Sequence, residues 1–125
     1  MDFEIASDVK RRIKKILSEL DFPYIEEGRI VCYRSYGSKS RARARIWALP
    51  RIWQSALNVK AHYIIEVLSE KFDKLGEDDK NRILIHELLH IPKNFSGALL
   101  PHRRRGRMIN TWSVERLFKK LKRVK

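Results

Sequence analysis

Apolar residues along the chain follow two different rhythms. From Ile5 through Val9, Ile13, Ile16, Leu17 and Leu20 they recur every three or four residues, the spacing of one helical face. That spacing predicts an amphipathic helix over about Ser7 to Leu20, ended before Pro23. Ile30 to Tyr36 and Ala42 to Leu49 alternate instead, with a Gly37-Ser38-Lys39-Ser40 turn between them, and so predict a hairpin or two adjacent strands. Pro50 closes the second, and Arg51 to Leu57, containing Trp53, reads as a short turn of helix. A third strand is expected over His62 to Val67, continuing toward Leu68 to Leu75, where strand and helix signals mix.

The segment from Ile83 to Ile91 obeys neither rhythm. As a helix it is apolar nearly all round, interrupted only by His86, Glu87 and His90, which marks it as buried. Its start is set after Gly76 by Glu77, Asp78 and Asp79, which favour the positive end of the helix dipole, and its end by Pro92. A last helix is expected over Ser113 to Val124, with Val114, Leu117, Phe118 and Leu121 on one face and Ser113 as N-cap. The fold class is therefore α+β: a small, mainly antiparallel sheet of about three strands packed with an N-terminal helix, the buried helix and a C-terminal helix. With 125 residues, 43% of them hydrophobic, residues 1–125 suffice for a single domain around one core.

An ionisable triplet on a buried helix needs a partner, because an unpaired buried carboxylate is costly. His86-Glu87-Leu88-Leu89-His90 supplies one: histidines four apart on a helix project from the same face and can share a metal ion, with Glu87 beside them as a base. A catalytic zinc site takes three protein ligands and keeps one position open. His102 leads as the third ligand, after the turn-rich Pro92 to Gly97 stretch and the Ala98-Leu99-Leu100-Pro101 run. Glu115, on the expected last helix, is its rival. The metzincin spacing is excluded, because Lys93 and Ser96 stand where it needs Gly and His.

The run from His86 to His102, HELLHIPKNFSGALLPH, resembles the phage and archaeal metallopeptidase domain, a small cytosolic zincin family, over about Arg29 to the C-terminal helix. It is more distantly similar to the SprT-like proteases, which cut proteins bound to DNA, although Arg103 stands where those have a Gly. The resemblance implies a minimal zincin-like fold. It also implies zinc held by His86, His90 and His102, and Glu87 as general base and acid in peptide-bond hydrolysis by an activated water. In zincins the strand before the active-site helix runs along the cleft, which assigns His62 to Leu68 to pairing with substrate. Arg103, Arg116 and Tyr63 are candidates for oxyanion or substrate contacts. Trp47 and Trp112 are candidates for core or cleft lining.

Net charge changes the picture of partners. The chain carries 28 Lys and Arg against 15 Asp and Glu, a net +13. The basic residues cluster at Lys39-Arg41-Arg43-Arg45, at His102 to Arg107, and at Lys119 to Lys125. Each cluster alone reads as the wet face of a strand or a solvated helix end; together, beside a protein or peptide substrate, they leave open nonspecific attraction to nucleic acid or to an acidic protein substrate. The competing function is a basic nucleic-acid-binding module whose zinc is structural or vestigial, closed by a fourth ligand from His62, Cys32 or Glu115. No apolar run has transmembrane length, the opening MDFEIASDVKRRIKK lacks a secretory pattern, and one cysteine, Cys32, fits a reducing compartment. A cytoplasmic protein without a membrane partner is the expectation. Cys32, with alternating neighbours, reads as a buried strand residue rather than a reactive thiol or ligand.

Overall fold

The computed structural model describes residues 2–104 and 107–121, with backbone alone at 103–104 and 107–108. Strands β1 (Asp2–Ile5), β2 (Ile30–Tyr36), β3 (Ala44–Ala48) and β4 (Tyr63–Leu68) form one mixed sheet in the order β1-β2-β4-β3. The outer strands β1 and β3 run antiparallel to their neighbours, while β2 and β4 are parallel. Helices α1 (Ser7–Glu19), α2 (Arg51–Leu57), α3 (Ser69–Phe72), α4 (Glu77–Leu88) and α5 (Thr111–Phe118) complete the α+β fold, with a small ribbon of β5 (Arg103–Arg104) and β6 (Arg107–Met108) before α5. Among the described residues no helix is long and apolar enough to cross a membrane.

Register decides what the sheet buries. Ile30 and Cys32 of β2 lie beside Tyr63 and Ile65 of β4, which in turn lie beside Ala48 and Ile46 of β3. This row meets Val9, Ile13 and Ile16 of α1 and Leu84, Ile85 and Leu88 of α4 in one core cluster. Each such aliphatic side chain contributes roughly 1.5–3 kcal/mol by leaving water. Cys32 is buried there as expected, and burial pushes its thiol up to about 11, so it stays protonated.

Several expectations need correction. The sheet has four strands rather than about three: Ile5 belongs to β1, not to the helix face, and is exposed. Four residues that bury nothing carry no periodic signal, and β1 becomes a strand only by pairing with β2. The expected hairpin of β2 and β3 does not form. β4, the most buried strand, lies between them, so the most apolar segment has neighbours on both sides. That placement also removes β4 as a substrate-pairing strand, since both its edges are taken. The segment after it turns at once into α3 rather than extending the strand. Finally, α5 begins at Thr111. Asn110 is its N-cap, accepting from Ser113 N at 3.0 Å while the Ser113 hydroxyl accepts from Asn110 N at 2.9 Å. The expected continuation of this helix to Val124 lies partly outside the described residues.

Candidate metal centre

His86 and Glu87 stand in the last turn of α4, and His90 just beyond it. There the backbone tightens to i→i+3 bonds: His90 N donates to Glu87 O and Ile91 N to Leu88 O, both at 3.1 Å. Pro92 prevents continuation. Both histidines remain on one side, with ring centres 5.2 Å apart.

A loop returns His102 to them, and its backbone is fastened along its length. Tyr63 donates its hydroxyl proton to Ala98 O (2.8 Å) and accepts from Gly97 N (2.9 Å). Gln54 Nε2 donates to Leu49 O (2.8 Å) and Ser96 O (3.1 Å). Gly97 sits at φ +97°, and a Cβ there would lie 2.3 Å from Gln54 Nε2 and 2.8 Å from Leu49 O, so only glycine fits. Leu100 N donates to His90 O (2.7 Å), and Ile109 N to His102 O (2.8 Å).

The result is a three-histidine cluster. His86 Nε2 and His102 Nε2 are 3.1 Å apart, and one ring nitrogen from each of His86, His90 and His102 lies within 4.8 Å of the others. Tetrahedral zinc with imidazole nitrogens at about 2.0–2.1 Å holds them roughly 3.3 Å from one another, so the donor set fits such an ion. His90 Nδ1 donates to Leu100 O at 2.5 Å, which fixes its tautomer and leaves Nε2 free as a ligand. Electrostatics agree: burial first, then the neighbouring His90 and His102, lower His86 to about 4, and burial lowers His90. Both are neutral near pH 7, the form that ligates. The triad could hold a metal ion.

Glu87 is 8% exposed, and burial alone raises its carboxyl to about 8. It borders a cleft of about 580 Å³ that runs between the start of β3, α4 and the N-terminus of α5. The walls carry Asp79 and Arg82 of α4, Arg43 and Glu115. Arg82 Nε donates to Glu115 (2.9 and 3.2 Å) and its Nη1 to Asp79 (2.9 Å), with the guanidinium carbon 4.2 Å from the centre of the Phe118 ring. Glu115 is thus engaged by Arg82 and stands outside the metal-ligating group.

The model of the family described as "Putative phage metallopeptidase" matches residues 1–122, which include the triad, Glu87 and every wall of the cleft. The chain belongs to that family. No curated protein and no solved structure matches it. In this member of the family the three histidines named from sequence are brought together, and Glu87 lies next to His86 in the helix.

Other expected site residues are placed elsewhere. Tyr63 is fully buried with its hydroxyl proton on Ala98 O, so it positions the loop and has no proton to offer an oxyanion. Arg116 is exposed on the outer side of α5, stacked 5.0 Å from the Trp112 ring, and does not line the cleft. Arg103 starts β5, and its side chain lies outside the described residues, as do Arg105 and Gly106 entirely. His62 is apart from the triad, with Nδ1 2.7 Å from Lys60 O. Trp112 is 67% exposed and Trp47 51% exposed, so neither is a core residue. Sequence reasoning missed Arg82, which is legible only as the residue one turn before His86, and the Leu100 carbonyl, which carries no side-chain signal at all.

Proposed function

We propose that the protein is a zinc-dependent metallopeptidase. The observation that carries this reading is the convergence of three imidazoles, those of His86, His90 and His102, with no fourth ligand among the described residues, beside the buried carboxyl of Glu87 and an open cleft. A structural site would be closed by a fourth protein ligand. Cys32, His62 and Glu115, the residues able to close one, all lie outside the group. Zinc held by His86, His90 and His102 would supply Lewis acidity, polarising a scissile carbonyl and making a water acidic near neutral pH.

The chain's own residues do the rest. Glu87 takes the proton of the attacking water and returns it to the leaving amine. Substrate lies along β3, the outer strand whose first residue forms part of the cleft wall. Leu68 N bonds to Arg43 O and Leu49 N to His62 O, so odd-numbered β3 residues face β4. The main-chain groups of Ala44, Ile46 and Ala48 therefore point to the open edge, where an extended peptide can pair with them.

Glu87→Gln tests the reading: it should keep stoichiometric zinc while hydrolysis of an unfolded protein substrate falls at least about 100-fold. Undiminished turnover in that variant would remove Glu87 from the chemistry. Zinc binding lost with an intact fold would mean the carboxylate serves the metal instead.

A further inference from the structure

The sheet face turned away from α1 and α4 is built around a buried charge that the metal centre does not use. Glu66 of β4 is 1% exposed, and its carboxylate accepts from Arg45 Nε (2.9 Å), Arg45 Nη2 (3.3 Å) and Trp47 Nε1 (2.8 Å). Burying a carboxylate is costly unless it is paired, and here the pairing fixes the orientation of two side chains on the outer strand β3. Trp47 nonetheless remains 51% exposed, with the Arg45 guanidinium 5.5 Å from the centre of its ring. An exposed indole oriented by a buried anion presents its ring in a set position.

The same face continues across the sheet. Tyr33 is in register with Glu66, and Ile5 with Tyr33. The Phe3 ring, 56% exposed, meets Tyr33 edge-on at 6.3 Å. Trp47 is two strands from Tyr33, a span of roughly 10 Å at ordinary strand spacing. Arg43, exposed and opposite Leu68, adds a cation to the Trp47 side, and Lys39 and Arg41 are exposed in the loop before β3. Glu66 is the acid of this face among the described strand residues, and Arg45 neutralises it.

Rings and arginines of this kind suit protein interfaces as well as nucleic acid, so charge has to choose. A second copy would set one +13 molecule against another. A flexible polyanion with stackable faces meets both the cations and the separated rings. We infer that this face binds single-stranded nucleic acid, with bases stacked on Trp47 and on the Phe3–Tyr33 pair and phosphates held by Arg43 and its neighbours. The inference does not rest on peptidase activity: Trp47, Tyr33 and Phe3 stand outside the cleft, and Arg43 alone of the residues named for this face also borders it.

Fluorescence anisotropy of end-labelled oligothymidylate of about 12 nucleotides, titrated with the full chain at several salt concentrations, tests it. Trp47→Ala should weaken binding roughly tenfold or more, Trp47→Phe should recover most of it, and Arg43→Ala should lower the salt slope by about one. Far-ultraviolet circular dichroism checks that each variant folds, and Trp47→Phe, which keeps the ring without the Glu66 bond, is read if Trp47→Ala does not. Binding unchanged in folded Trp47→Ala would overturn the inference, because charge elsewhere would then hold the strand. So would the absence of binding at low salt, equal Trp47 dependence for a duplex of the same length, or Trp47-dependent binding to anionic vesicles or self-association in place of the oligonucleotide.

Discussion

His90 and Leu100 are bonded to each other twice: the imidazole Nδ1 donates to the Leu100 carbonyl at 2.5 Å, and the Leu100 amide donates to the His90 carbonyl at 2.7 Å. One contact aims the His90 ring toward the triad and the other anchors the loop that carries His102. Because both use the Leu100 main chain, the leucine side chain is incidental to them. Leu100→Ala should therefore leave zinc affinity nearly unchanged. Leu100→Pro, which removes the amide donor, should weaken affinity about 10–100-fold, the range for losing an outer partner of a ligand. Competition against a chelating dye measures both.

His102 and Glu115 make opposite predictions as third ligand. His102→Ala should lower zinc affinity at least about 100-fold, since it removes a donor outright rather than an outer partner. Glu115→Gln should keep full zinc content and change stability by about 0.2–1 kcal/mol, because the Arg82 pair it breaks is partly exposed. Metal content after gel filtration, together with thermal melts, decides between them.

The metal-free protein should lose stability as pH rises from 6.5 to 8. Glu87 has its folded value raised from 4.5 to about 8 by burial, so the native state holds its proton more tightly than the unfolded chain. That contribution is fully present below pH 4.5 and is lost as pH climbs through 8, an effect on the order of a few kcal/mol. His86, lowered from 6.5 to about 4 by burial, acts the other way, and its contribution is lost only as pH falls below 6.5. The window above 6.5 thus isolates Glu87. Urea melts of chelator-treated protein should show the downward slope in wild type and a flatter one in Glu87→Gln. A slope unaffected by that substitution would place the titration elsewhere.

Gly97→Ala should cost roughly 1–3 kcal/mol from the positive φ alone. The added methyl must also displace Gln54, whose amide holds the loop through Ser96 O. Since that loop leads to His102, zinc affinity should fall together with the melting temperature. A normal affinity in a destabilised Gly97→Ala would show that His102 is positioned from the Ile109 side alone.

Periodicity made α1 legible, because Val9, Ile13 and Ile16 must share a face to leave water together, and an apolar run between a helix start and Pro92 made α4 legible. The same local rule exposed His86, Glu87 and His90, since three polar groups on an otherwise apolar helix demand an explanation. It could not order the strands. Whether β3 neighbours β2 or β4 depends on which segment gains most from being paired on both sides, a comparison among distant segments. From that one choice followed the errors about the cleft: β4 was expected at an edge, and Trp47 among core or cleft residues.

The sequence by itself determined the candidate site: an HELLH motif, a third histidine within reach, and a helix too apolar to carry an idle carboxylate. Tertiary structure alone decided which groups meet. It placed Glu115 on Arg82 rather than in the triad, spent the Tyr63 hydroxyl on Ala98, and turned Arg116 away from the cleft. The physical reason is that a ligand set is local in sequence only as far as one helical turn. Beyond it, donors are brought together by main-chain bonds such as those of Leu100, which carry no residue signature.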